Sequence, residues 1–315
     1  MELSQAGAYY SRDLSLYYNH GRVMGTRLDV IFHGRDSKVA DNAFAGLMNE
    51  LFRLDKMMNR FDEYSQVSMI NKLAYIKTLS LDKELFDILL KCKEYYKRTS
   101  GLFDISLGNL ADLAKSGYLD NSDTQMTEFL GNTGMDNLVL EEKDSSVRFL
   151  KPEMNIDLGG FGKGYAMDCI KSLLESKEIS NAFISFGHSS VMAMGNHPQG
   201  SGWNAGIQHI YKPLESVYSF VLHNESVSTS GRNPLAGDLS NPSHVIHPGK
   251  GMVKNRQHYI SVKSASATDA EVLSTALLIA DPDEIQAMLS AFHDCHAIGV
   301  DYDSEGKSSV RELNY

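Results

Sequence analysis

The chain has 315 residues, 42% hydrophobic and 22% charged, enough apolar material for one large folded domain or two of ordinary size. A formal net charge of −10 with no basic stripe argues against a nucleic-acid partner. The three cysteines, Cys92, Cys169 and Cys295, form no C-x-x-C pair, which argues against a disulfide framework or a thiolate metal site; they read as small buried hydrophobes.

Residues 1–20 are polar and tyrosine-rich, with neither the apolar core of a signal peptide nor a lipidated cysteine, and read as an extension ahead of a domain spanning 21–315. No apolar run approaches the ~20 residues of a membrane span. As it stands the chain reads as cytoplasmic; a removed leader would make it periplasmic or cell-envelope.

Residues 27–34 alternate like a half-buried strand. Ala45, Leu47, Met48, Leu51, Leu54 and Met58 then recur at helical spacing. A second helix covers roughly 82–98, with Gly101 as its C-cap. Two short strands, LVLEE and VRFL, precede the stretch NIDLGGFGKGYAMD (155–168). A helix follows from about Gly162 to Glu175, with Met167, Ile170, Leu173 and Leu174 on its buried face. NAFISFG, SSVMAMG and YSFVLH read as strands, 229–251 as loop, SATDAEVLSTALLIA and DEIQAMLSAF as helices, and HAIGVDY as a strand. Strands and helices intermix without a βαβ rhythm, which predicts one α+β unit of mixed or antiparallel sheets and packed helices.

NIDLGGFGKGYAMD resembles a phosphate loop but fits no standard one. A Walker A loop needs Ser or Thr after Gly-Lys, and here Gly164 follows Lys163; a dinucleotide fingerprint needs a later third glycine. Lys163 in a helix's first turn opposes the dipole, which favours an anion in front of it; a tight turn with a solvated lysine explains the stretch equally well. Glu271 and Thr275, four apart, share a helix face and offer oxygens that suit Mg²⁺. Thr268-x-x-Glu271 also matches a capping box. His244, in a Pro-Ser turn, is a candidate general base.

In chain order, Met24-Gly25-Thr26, Met58-Asn59-Arg60-Phe61 with Ser65 and Asn71, Gly101 to Gly108, Asp157-Leu158-Gly159-Gly160 with Lys163-Gly164, Ser228 to Gly231, Ser243 to Ile246 and the acid-x-x-x-Thr helix together resemble the ApbE family, the FAD:protein FMN transferases. The resemblance implies a single α+β domain with FAD as substrate and one or two Mg²⁺ ions at its pyrophosphate. It implies transfer of FMN to a Thr or Ser hydroxyl of an acceptor protein carrying a D-[ST]-G-[AS]-T-like motif, with AMP leaving. Some relatives hydrolyse FAD to FMN and AMP instead, and loss of catalysis would leave a flavin-binding protein. By similarity Met24, Phe61, Leu102, Phe103, Asp104, Asp157, Lys163 and Ile246 contact FAD. Gly160 through its carbonyl, Glu271 and Thr275 hold Mg²⁺, and His244 assists transfer. The chain departs from the family pattern with Phe61 for tyrosine, Glu271 for aspartate, His247 for an acid, Lys250 for threonine, and His188 for the second of two glycines.

Overall fold

The computed structural model describes residues 9–11, 15–115, 124–212, 214–231, 246–252, 258–303 and 305–314. Its frame is a nine-stranded sheet. In sequence order its strands are β1 (Tyr9–Ser11), β2 (Leu16–Val23), β3 (Thr26–His33), β7 (Ala182–Phe186), β8 (Ser190–Met194), β11 (Ser226–Gly231), β14 (His258–Ser264), β15 (His296–Tyr302) and β16 (Ser308–Glu312). That is also their order across the sheet, and every neighbouring pair is antiparallel. Three smaller sheets are β4 (Leu79–Ser80), β6 (Ser146–Phe149) and β5 (Leu138–Glu141); the ribbon of β9 (Trp203–Gln208) and β10 (Ser216–Leu222); and β12 (Ile246–His247) with β13 (Gly251–Met252). The α+β expectation holds. Residues 16–20, read as extension, lie inside β2, which pairs with β3 along its whole length.

Strand alternation assigns the two faces of the sheet. In β7, Ala182, Ile184 and Phe186 enter the main core while Phe183 turns to the opposite side. The main core is covered by α1 (Ser37–Met58), α3 (Lys83–Arg98), α6 (Gly162–Ser176) and α7 (Ala267–Ile279). The β9–β10 ribbon covers the other face, burying Trp203, Phe220 and Leu222 against Val227, Ile298 and Val300. Shorter helices α2 (Gln66–Leu73), α4 (Gly108–Lys115), α5 (Thr124–Asn132) and α8 (Pro282–Ala291) are the other α-helices among the described residues. Among the described residues no helix is long and apolar enough to cross a membrane.

Local chemistry explains the element ends. Asp36 caps α1 by accepting from the Val39 N–H, 3.0 Å away. The buried face of α1 runs through Ala43 rather than Ala45, which is exposed. Helix α3 ends in a Schellman motif: Gly101 N–H donates to Tyr96 O and Ser100 N–H to Lys97 O. The left-handed C′ residue is Ser100 (φ +52°), and Gly101 follows it.

Helix α7 is apolar all round, and every residue except Asp269 and Thr275 is buried. Its N-cap is Ser266, not Thr268, and Glu271 takes no part in a capping box. Instead Asp168 of α6 reaches across, accepting from Ser266 Oγ, Ala267 N–H, Thr268 N–H and Thr268 Oγ1 at 2.6–3.0 Å. The helices nearly touch there. A Cβ on Gly164 would lie 2.6 Å from Ala267 O and 2.8 Å from Thr268 Cα, so this glycine serves helix–helix contact.

Candidate active site

The site begins at the β2–β3 hairpin. A two-residue turn there requires left-handed backbone at both positions, and Met24 (φ +50°) and Gly25 (φ +72°) supply it. Glycine adopts this freely; methionine is strained, so the fold holds Met24 in place. Its Cε would lie 3.3 Å from a Cβ on Gly162.

At the end of α1, Asn59 Oδ1 accepts from Phe61 N–H, 3.0 Å away, and turns the chain outward. Phe61 is left 69% exposed, with the Arg60 guanidinium 4.2 Å from its ring centroid. Arg60 reaches back to Asp157 at 2.8 Å and Asp112 at 2.5 Å. The motif residues Ser65 and Asn71 have structural work nearby. Ser65 caps α2, and Asn71 pins the extended segment entering the glycine loop through Ile156 N–H (2.8 Å) and Ile156 O (3.0 Å). Asp157 then accepts from Gly159 N–H at 2.8 Å. Met24, Phe61, Asp157 and Lys163 thereby line one cavity of about 240 Å³.

Lys163 occupies the first turn of α6 and leads from this cavity into a buried polar cluster. Its Nζ lies 2.7 Å from Glu271 Oε1 and 3.0 Å from both Ser189 Oγ and Ser190 Oγ. Glu271 Oε2 accepts from Ser190 Oγ at 2.6 Å and Ser228 Oγ at 2.8 Å. The Glu271 side chain is 5% exposed. Burial alone would raise its carboxyl, but the Lys163 charge and the three hydrogen bonds prevail and hold it below the usual carboxylate range. One turn on, Thr275 Oγ1 donates to Glu271 O at 3.0 Å and lies 3.3 Å from Ser230 Oγ. A Cβ on Gly160 would sit 3.7 Å from Thr275 Oγ1, so the loop adjoins α7 at Thr275, one turn from Glu271. A carbonyl, a hydroxyl and a carboxylate suit Mg²⁺. In this structure Glu271 spends both oxygens on Lys163 and the serines.

Other expected FAD contacts lie apart from the cavity. Leu102 and Phe103 are buried in the main core, with Phe103 packed beside Gly160. Asp104 is half-buried beside them, accepts from Ser106 N–H at 2.7 Å, and has its carboxyl raised by desolvation. Ile246 packs with Leu110 in a separate small cluster. His244 lies outside the described residues. His247 and Lys250 have local partners: His247 Nδ1 accepts from Gly249 N–H, and Lys250 pairs with Asp281.

A model of the ApbE family matches residues 24–298. The chain belongs to the ApbE family. ApbE relatives include a Buchnera aphidicola protein named FAD:protein FMN transferase, 30% identical over 71% of this chain and 69% of its own. An Escherichia coli K12 protein of the same name is 24% identical over 85% and 80%. Two solved ApbE structures share the fold: the Vibrio cholerae flavin transferase (TM-score 0.80, 18% identity, 97% of each chain) and the Thermotoga maritima protein (TM-score 0.81, 21% identity, 94% of this chain and 96% of its own). Membership makes this chain a transferase enzyme.

Sequence reasoning missed Ser189, Ser190 and Arg60 as site residues, and gave Ser228 and Ser230 no role. The last two carried a usable signal, because i and i+2 on a strand share a face. Ser189 and Ser190 could not be singled out, because a turn-and-strand serine carries no chemistry until Lys163 and Glu271 are brought to it.

Proposed function

We propose that this enzyme transfers FMN from FAD to a Thr or Ser hydroxyl of an acceptor protein. The hydroxyl oxygen forms a bond to the FMN phosphorus, the bond from that phosphorus to the oxygen of AMP breaks, and AMP leaves with the pyrophosphate oxygen. The hydroxyl proton passes to a base, a role given to His244. One observation carries the reading: Lys163 joins a cavity bearing an exposed aromatic ring to a buried cluster of hydroxyls and one carboxylate. Phe61 would stack on the flavin, and the Lys163 ammonium would face the pyrophosphate. Gly160, Thr275 and Glu271 would hold Mg²⁺, which when bound supplies charge neutralisation at the phosphates. Lys163, released from Glu271 toward the phosphate, would then bind and orient the reacting group.

The test is mass spectrometry after incubation with FAD and Mg²⁺, with and without a peptide carrying D-[ST]-G-[AS]-T. A flavinylated peptide and free AMP are expected. FMN and AMP with unmodified peptide would replace transfer by hydrolysis, and bound but intact FAD would leave only a binding protein.

A further inference from the structure

The Lys163 ammonium carries three N–H donors, and the cluster uses all of them: Glu271 Oε1 lies at 2.7 Å, and Ser189 Oγ and Ser190 Oγ at 3.0 Å each. Held in this way, it has no donor left for a phosphate. Glu271 is equally committed. Ser190 and Ser228 fix its Oε2 at 2.6 and 2.8 Å, so Oε1 is the oxygen that can change partner. A carboxylate pinned by one oxygen offers a cation a single ligand atom at a set place, which suits the few protein carboxylates that Mg²⁺ takes.

Lys163 and a divalent ion cannot share Oε1, because two positive charges in contact with one buried oxygen repel at close range. The helices cannot part to make room for both. A Cβ on Gly164 would lie 2.6 Å from Ala267 O, and Asp168 of α6 accepts four hydrogen bonds from the start of α7. What can move is the lysine stem, four carbons long and freely rotating. Lys163 also lines the 240 Å³ cavity beside Phe61, which gives the ammonium a second place to go.

We infer that Lys163 is a placeholder cation. In the free enzyme its ammonium holds the metal's position on Glu271 Oε1, and it swings into the cavity when a divalent ion takes that oxygen or a phosphate takes the ammonium. Ser189, Ser190 and Ser228 are positioning residues that shape the seat both cations use. The inference rests on the transferase reading above for the metal and the pyrophosphate. Breaking the ion pair once serves both ligands, so each tightens the binding of the other, and reciprocally. The placeholder also keeps a buried carboxylate compensated while the metal is absent.

Two measurements on the full chain test this, and neither uses FAD or acceptor. In the first, Mn²⁺ in place of Mg²⁺ is titrated into wild type, Lys163→Met and Lys163→Gln, and the free ion is read by electron paramagnetic resonance. Both variants bind the ion about tenfold or more tightly than wild type, within the span of ordinary site coupling. Adding Glu271→Gln removes the gain. Glutamine retains donors for the cluster, so that variant reports even where the methionine variant unfolds. In the second, wild-type amines are labelled briefly with acetic anhydride, and the peptide containing Lys163 is weighed. Mg²⁺ alone speeds labelling of Lys163 several-fold, because the ammonium leaves its buried partners. Equal or weaker Mn²⁺ binding by both variants overturns the inference. So does Lys163 labelling that Mg²⁺ leaves unchanged, the outcome for a lysine that merely neighbours the metal. Flavin transfer to a peptide alongside either result leaves the transferase reading intact. Both expected results without any transfer keep the placeholder and sink that reading.

Discussion

Replacing Lys163 by methionine removes the one cation among the described residues that touches the buried Glu271 carboxylate, while keeping the length of the side chain. At 2.7 Å the pair attracts by roughly 6 kcal/mol at an effective dielectric of 20. Much of that offsets the cost of taking both ions out of water, so the expected loss is the ~3–5 kcal/mol seen when one partner of a buried pair is removed. The loss depends on pH. In the wild type the folded carboxyl is depressed, so its contribution is present above the unfolded value near ~4.3 and disappears only as pH falls through the folded one. In Lys163→Met, desolvation wins and the carboxyl rises, so the variant is penalised increasingly as pH climbs above ~4.3. Urea unfolding should therefore show a deficit of about 3–5 kcal/mol at pH 8 that falls by more than half at pH 5. Adding Glu271→Gln should restore most of the loss at pH 8. A deficit that ignores pH, or none at all, would refute the ion pair as the element that holds this cluster together.

Further outcomes follow from single contacts. Gly164→Val forces α6 and α7 apart against backbone atoms and should lower stability by about 1–3 kcal/mol or more, read by thermal unfolding. Phe61→Ala leaves stability within ~0.5 kcal/mol because the ring is exposed. It should weaken FAD binding by roughly twofold to tenfold, the worth of one stacking contact, measured by flavin fluorescence titration. Asp104 has a raised carboxyl, so its charge costs stability increasingly as pH climbs above the unfolded value of ~3.9, and the cost levels off above the folded one. Asp104→Asn should therefore be stabilising at pH 8 and neutral near pH 4, by urea unfolding, with its amide oxygen still accepting from Ser106 N–H.

Most of the fold was legible where burial writes a period into the sequence. The alternation of 27–34, the helical runs before Met58 and after Gly162, and the closing HAIGVDY all mark elements that formed. Strand β9 escaped because WNAGIQ is short, carries a glycine and pairs in a ribbon rather than the main sheet. The start of α7 was misplaced because Thr268 and Glu271 satisfy a local capping rule, whereas the cap is made by Ser266 and by Asp168, about a hundred residues away in sequence. No local pattern can announce a partner so distant. Lys163 and Glu271 were both visible as chemistry. Their mutual contact was not, since it depends on α6 and α7 packing at Gly164.

That packing bears on how a dinucleotide enters. Helices α6 and α7 carry Lys163, Glu271 and Thr275, and they are riveted together by the Gly164 contact and the Asp168 cap. They have little freedom to slide or hinge against each other. The facing wall is joined differently: the Asn59–Phe61 segment is anchored by the side chains of Asn59 and Arg60, and the Met24–Gly25 turn closes the paired β2–β3 hairpin. The two helices make a fixed anvil and the facing wall is joined mainly through side chains, so entry rates should respond to substitutions in that wall before they respond to changes in the anvil.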